Sequence, residues 1–136
     1  MNDGYGCIAD EKIQTMPWLL KDAGPGEQEK QRNWHDRIKK ETNCTMHETA
    51  FFSREAYPAF DRLVLGKDFF IASRCIVRGN VEMGNHSSFN CGVITIGNMK
   101  IGDYVRIASY TQIMGFNHNH GRTDIPTHDQ GISRRV

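Results

Sequence analysis

From Leu65 to His118 the chain reads LGKDFF-IASRCI-VRGNVE-MGNHSS-FNCGVI-TIGNMK-IGDYVR-IASYTQ-IMGFNH, nine hexads in one unbroken frame. The lead residues are Leu65, Ile71, Val77, Met83, Phe89, Thr95, Ile101, Ile107 and Ile113. Only Thr95 is polar, and it is β-branched. Small residues follow the lead at Gly66, Ala72, Gly84, Gly102 and Ala108. Four places after each lead come Phe69, Cys75, Val81, Ser87, Val93, Met99, Val105, Thr111 and Asn117, mostly small or apolar. An amphipathic helix repeats near 3.6 residues and a simple strand at 2, so neither accounts for a strict six. A short fixed period with glycine beside the apolar lead marks a parallel β-solenoid.

Each hexad suits one flat side of a triangular coil. The lead residue and the residue four places on point into the prism. The residue after the lead sits where the path is tight, and a small side chain fits there. Three hexads close a turn, so residues 65–118 predict three turns, stacked about 4.8 Å apart. The expected core includes Ile71, Val77, Met83, Phe89, Ile101, Ile107 and Ile113. Ile107→Asp should then be severely destabilising, because it buries an unpaired charge.

The rest of the chain reads differently. Ile13–Asp22 is a short helix candidate, broken by the AGPGE stretch at 23–27, and Glu27–Lys40 is a second. That second helix is charged, with only Trp34 and Ile38 apolar in its middle, so it is expected to lie across the first coil or a partner. Residues 46–64 carry Phe51, Phe52, Tyr57 and Phe60 but fall outside the six-residue frame, and read as an irregular first coil or cap. A cap is required, because an open solenoid end presents unpaired backbone groups. The predicted organisation is a helical capping region over residues 1–45 and a β-helix domain over 46–136.

Net charge is +1, with acidic and basic residues interspersed. The clusters Lys39-Lys40 and Arg134-Arg135 are too small for a nucleic-acid footprint. No run of eighteen apolar residues predicts a membrane span. The N-terminus lacks a basic segment followed by an apolar one, so no secretory signal is read. Cys7, Cys44, Cys75 and Cys91 form no CxxC pair and are expected as free thiols in a cytoplasmic protein.

The hexads LGKDFF, IASRCI, MGNHSS, IGDYVR and IASYTQ resemble the hexapeptide repeats of left-handed β-helix acyltransferases. The stretch IGDYVRIASYTQIMGFNHNHG resembles the maltose, galactoside and xenobiotic O-acetyltransferases where an IGD hexad runs into the catalytic histidine. IPTHDQG resembles the end of the loop that follows. The resemblance covers about residues 63–136. It implies a left-handed parallel β-helix, acetyl-CoA as donor, a carbohydrate or similar hydroxylated small molecule as acceptor, and a homotrimer with sites between subunits. Relatives of this kind resume the helix with further coils after the loop, so the chain is expected to be truncated at its C-terminus. Those later coils hold CoA, so no CoA-binding residue is assigned.

The chemistry rests on a histidine cluster: His118, His120 and His128, with His86 earlier. An imidazole titrating near neutral pH suits removal of a proton from a weakly nucleophilic hydroxyl. By register with the resembling families, seventeen residues after Ile101, His118 falls on the catalytic base. Ser88 takes the place of an acceptor-binding asparagine, and Asn90 matches a second one. His120, two places beyond the base, is grouped with them in substrate binding. Phe89 reads as core and His86 as surface. No metal is expected. Two alternatives stand: a γ-carbonic-anhydrase-like zinc lyase, and a non-catalytic assembly module. The lyase needs two histidines about five residues apart, whereas His118 and His120 are two apart.

Overall fold

The computed structural model describes residues 8–133. Cys7 and the Arg134-Arg135 pair lie outside them. Helix α1 (Ile8–Lys12) leads through a turn and a 3-10 helix (Pro17–Asp22) into helix α2 (Pro25–Glu41). The strands follow in chain order: β1 (Cys44–Met46), β2 (Phe51–Phe52), β3 (Tyr57–Leu65), β4 (Phe70–Ile71), β5 (Ile76–Met83) and β6 (Ser88–Phe89). Then come β7 (Ile94–Ile96), β8 (Met99–Ile101), β9 (Arg106–Ile107), β10 (Gln112–Met114), β11 (Asn117–His118) and β12 (Ile132–Ser133). All pairings except β11 with β12 are parallel. The chain is a mainly β parallel solenoid with a short helical region at its N-terminal side.

The register gives the coil length directly. Leu63 pairs with Val81, Phe70 with Ser88, Phe89 with Ile107 and Ile94 with Gln112, each eighteen residues on. Strands β3 and β5 are long because they continue round a corner, so one sheet covers two faces of the prism and β2-β4-β6-β9 covers the third. Leu65, Ile71, Val77, Met83, Phe89 and Thr95 all point inward and are buried. Phe69 and Phe89 meet edge to face at 5.5 Å inside the prism. Ile101, Ile107 and Ile113 are only half-buried, against expectation. They belong to the last coil, and among the described residues nothing stacks beneath them.

The expected three turns number about four. Residues 46–64 are a regular coil hidden by one extra residue. Phe51 and Phe52 pair with Phe70 and Ile71 at an offset of nineteen, and the register slips by one between Phe60 and Arg62. Asp61 is the bulged residue, so the leads of this coil, Met46, Phe52 and Pro58, lie one place out of the later frame.

The corners are built in two ways. At two of them the residue three after the lead is left-handed: Asp68, Arg74, His86, Tyr104 and Tyr110 have φ of 52°, 60°, 54°, 56° and 64°. The third corner uses glycine, with φ of 91° at Gly79 and 117° at Gly97. A Cβ on Gly97 would lie 2.9 Å from the Cα of Gly115 in the coil below.

The N-terminal region covers the upper edge of the solenoid. The single helix expected over Ile13–Asp22 is instead a turn followed by the 3-10 helix, because Pro17 opens a new helical start, and α1 lies just before it. Helix α2 docks through Ile38, which joins the core, with Trp34 packed against it, and through polar side chains. The Phe52 N–H on edge strand β2 donates to His35 Nε2 (3.0 Å), and Gln31 Nε2 donates to the Phe52 carbonyl (2.8 Å). Gln14 ties the layers together. Its Nε2 donates to Gln31 Oε1 (3.0 Å), and its Oε1 accepts from Ser53 Oγ and the Arg54 N–H (both 2.7 Å). Arg54 also forms an ion pair with Glu27 of α2. Edge backbone groups that would otherwise lack partners are satisfied in this way.

Candidate active site

His118 sits where the chain leaves the last coil. Its β11 strand pairs antiparallel with β12, placing His118 opposite Ile132. Gln130 ties the loop between them together. Gln130 Nε2 donates to the carbonyls of Arg122 (2.8 Å) and Ile125 (2.9 Å), and Gln130 Oε1 accepts from the Arg122 N–H (3.1 Å). Asn119 closes the neck, donating from its N–H to Gly131 O and from Nδ2 to Gln130 O, both at 3.0 Å. Within the loop Arg122 pairs with Asp124, and this guanidinium holds the Asp124 carboxyl below its usual range. The IPTHDQG stretch thus supplies a clamp for the loop.

The His118 main chain is fixed on both sides. Its N–H donates to Asn117 Oδ1 (3.0 Å), and its carbonyl accepts from His120 Nδ1 (3.0 Å). Because a carbonyl can only accept, that contact puts the His120 proton on Nδ1 and leaves Nε2 with a lone pair when the ring is neutral. The His118 ring lies edge to face with Phe116 at 5.8 Å. Its nitrogens have no hydrogen-bond partner among the described residues. Both histidines line an open depression of about 660 Å³, walled by Arg122, Ile125, Asp129 and Gln130. His128 is not among the lining residues, and its Nδ1 lies 2.8 Å from Asp129 Oδ1.

A second depression of about 390 Å³ lies alongside, at the glycine corner. Gly79, Gly97 and Gly115 form its floor, and Phe116 and Ile132 join it to the His118 strand pair. Asn80 Nδ2 donates to Asn98 Oδ1 (3.1 Å) along its wall, leaving one amide oxygen and one amide NH₂ for other partners. No sequence signal beyond the glycines themselves pointed to this groove.

Ser88 and Asn90 are elsewhere. They lie on the β2-β4-β6-β9 face, in a third depression of about 330 Å³ shared with Trp18, Phe70 and Arg106. Within one chain no contact joins them to His118 or His120. Phe89 between them is core. His86 is half-buried, stacked on Tyr104 at 5.1 Å with Nδ1 3.2 Å from Asp68. No three His, Cys, Asp or Glu side chains among the described residues are grouped to hold a metal ion. Cys44, Cys75 and Cys91 are free thiols. Burial pushes the Cys44 and Cys75 thiols up to about 11, so neither is a ready nucleophile. No helix among the described residues is long and apolar enough to cross a membrane. No protein-family model, curated protein or solved structure matches this chain.

Proposed function

We propose that the chain is an O-acetyltransferase that moves an acetyl group from acetyl-CoA to a hydroxyl of a carbohydrate or similar acceptor. The observation that carries this reading is His118 itself. Its backbone N–H and carbonyl are both hydrogen-bonded, while its ring has no hydrogen-bond partner among the described residues and the residue lines an open depression. A base for an incoming hydroxyl needs that arrangement: a fixed imidazole with a free lone pair. The resemblance of IGDYVRIASYTQIMGFNHNHG to the histidine segment of hexapeptide acetyltransferases supports the same assignment.

In the proposed reaction His118 removes the acceptor hydroxyl proton as its oxygen attacks the thioester carbonyl. A C–O bond forms and the C–S bond breaks. The departing CoA thiolate takes the proton back from the imidazolium. The groove beside His118, lined by three glycines and by amide side chains, would take the extended amide arm of CoA. His120 acts through the His118 carbonyl as a positioning residue. Ser88 and Asn90 reach the reaction from a neighbouring copy, which is why the active form is proposed as a homotrimer.

The test is acetyl transfer to a panel of sugars by the whole chain and by His118→Ala. Turnover should fall by roughly 10²–10⁴-fold in the variant, with acetyl-CoA affinity nearly unchanged. An active His118→Ala would end the assignment. A zinc lyase has less support, because His118 and His120 are two residues apart and His128 is engaged with Asp129.

A further inference from the structure

Hexad geometry places residues eighteen apart in one column. Phe70, Ser88 and Arg106 each precede an inward lead, so they alternate outward and stack on successive strands β4, β6 and β9. Asn90 follows the lead Phe89 on the same face. The 3-10 helix packs against β4 and brings Trp18 over this column. The turn that leads into it is held there by the Ser73 N–H, which donates to Gln14 O at 2.7 Å.

The polar groups in this depression are uncommitted. The Ser88 hydroxyl, the Asn90 carboxamide and the Arg106 guanidinium have no hydrogen-bond or ion-pair partner among the described residues. Ser88 is nevertheless 7% exposed, at the floor of the depression. Trp18 is the opposite case, a large apolar side chain left 53% exposed at the rim. Elsewhere on this surface polar side chains are used structurally. Ser87 Oγ accepts from the Val105 N–H (2.8 Å), and Asn85 Oδ1 accepts from the Lys67 N–H (2.8 Å). Convergent unpaired polar groups beside exposed aromatic rings mark a binding site rather than a packing solution.

We infer that this depression binds a hydroxylated ring carrying an anionic group, a carboxylate or a phosphate. Trp18 and Phe70 offer flat faces to the C–H face of a sugar ring. Ser88 and Asn90 supply one hydroxyl and one amide for ring hydroxyls. Arg106 supplies a forked, permanently charged donor set, which matches a carboxylate or phosphate and is wasted on a neutral sugar. The assignment rests on the acetyl-transfer reading only in making this ring the acceptor; binding itself is independent of that reading.

The experiment is titration of the whole chain with glucuronate, glucose 6-phosphate, glucose and inorganic phosphate, read by calorimetry and tryptophan fluorescence. At least one anionic sugar should bind about tenfold or more tighter than glucose, consistent with one charge-assisted pair. Which one does so separates a carboxylate from a phosphate ligand. Arg106→Leu should erase that advantage. Trp18→Ala should weaken the anionic sugar and remove the fluorescence change. Equal binding of glucose and both anionic sugars would overturn the inference, as would inorganic phosphate binding as tightly as the sugar phosphate. Absence of binding by any probe would overturn it too. Folding of each variant is checked by its thermal transition, and Arg106→Lys, which keeps the charge but loses the fork, should retain part of the preference. Acetyl transfer is scored separately: a chain that binds the anionic sugar but transfers nothing keeps this inference and sinks the transferase reading alone.

Discussion

At the residue scale, the six-residue beat was legible because each slot has a different steric demand. Gly66, Gly84 and Gly102 form a column eighteen residues apart; contacts with the coil below explain the first two, whereas a Cβ on Gly102, in the last coil, would meet nothing within 4 Å. A Cβ on Gly84 would lie 2.6 Å from the Gly102 carbonyl carbon and 2.5 Å from an Asp103 carboxylate oxygen. Backbone cannot give way cheaply, so Gly84→Val should cost about 1–3 kcal/mol, measured by urea unfolding. An unchanged midpoint would contradict the tight-coil account. Thr95 stood out in sequence as the one polar lead residue. It is fully buried, and its hydroxyl has no partner among the described residues. A buried unsatisfied hydroxyl costs about 1–3 kcal/mol, and an apolar group of the same shape removes that cost. Thr95→Val is therefore expected to raise the melting temperature. The left-handed corner residues were not legible. Asp68, Arg74, His86, Tyr104 and Tyr110 range from acidic to basic to aromatic, and each carries a backbone cost of about 1–2 kcal/mol that neighbouring coils offset.

At the element scale, two features escaped the sequence for physical reasons. One extra residue, Asp61, shifts the first coil out of frame, and a fixed-period count cannot follow a bulge. Helix α2 was read as a charged helix with little to bury, yet Gln31 and His35 are among its buried residues. They bury because they satisfy the edge of β2, a demand visible only once the edge exists. His35 accepts from the Phe52 N–H and must stay neutral to do so. Burial lowers its pKa from 6.5 to about 4; nearby Lys39 adds to the lowering, while Asp36 opposes it. Below pH 6.5 the unfolded chain takes up a proton at His35 that the folded chain refuses. The stability contribution is thus fully present above about pH 6.5 and is lost as pH falls toward 4, by about 3 kcal/mol. Urea unfolding at pH 7, 5.5 and 4.5 should show a steeper loss in the native chain than in His35→Gln, which keeps an acceptor but does not titrate. Parallel pH curves for the two proteins would remove His35 from the account.

At the scale of the whole molecule, burial falls along the solenoid axis. Ile71 is fully enclosed between coils, with α2 and the first coil on one side and two coils on the other. Ile107 and Ile113 hold the same slots in the last coil but are half-exposed. The expectation that Ile107→Asp would be severely destabilising weakens accordingly, because a half-exposed carboxylate keeps part of its hydration. Truncations should follow the same gradient. Ile71→Ala should cost about 2–5 kcal/mol, the usual range for an enclosed large apolar side chain, and Ile107→Ala clearly less. Assembly makes the gradient informative. In the proposed reaction the site is divided: His118 lies beyond the glycine corner, whereas Ser88 and Asn90 lie on another face of the same chain. On that proposal a second copy would join them, and a closed ring built from one repeated contact would complete every site at once. Light scattering at micromolar concentration should therefore report three times the 15.5 kDa chain mass. Mixing inactive His118→Ala with a separately inactivated Ser88/Asn90 double variant should restore part of the activity, because mixed trimers contain some interfaces with both halves intact. A stable monomer that transfers acetyl groups, or two variants that fail to complement while still assembling, would place the whole reaction within one chain and refute the divided site.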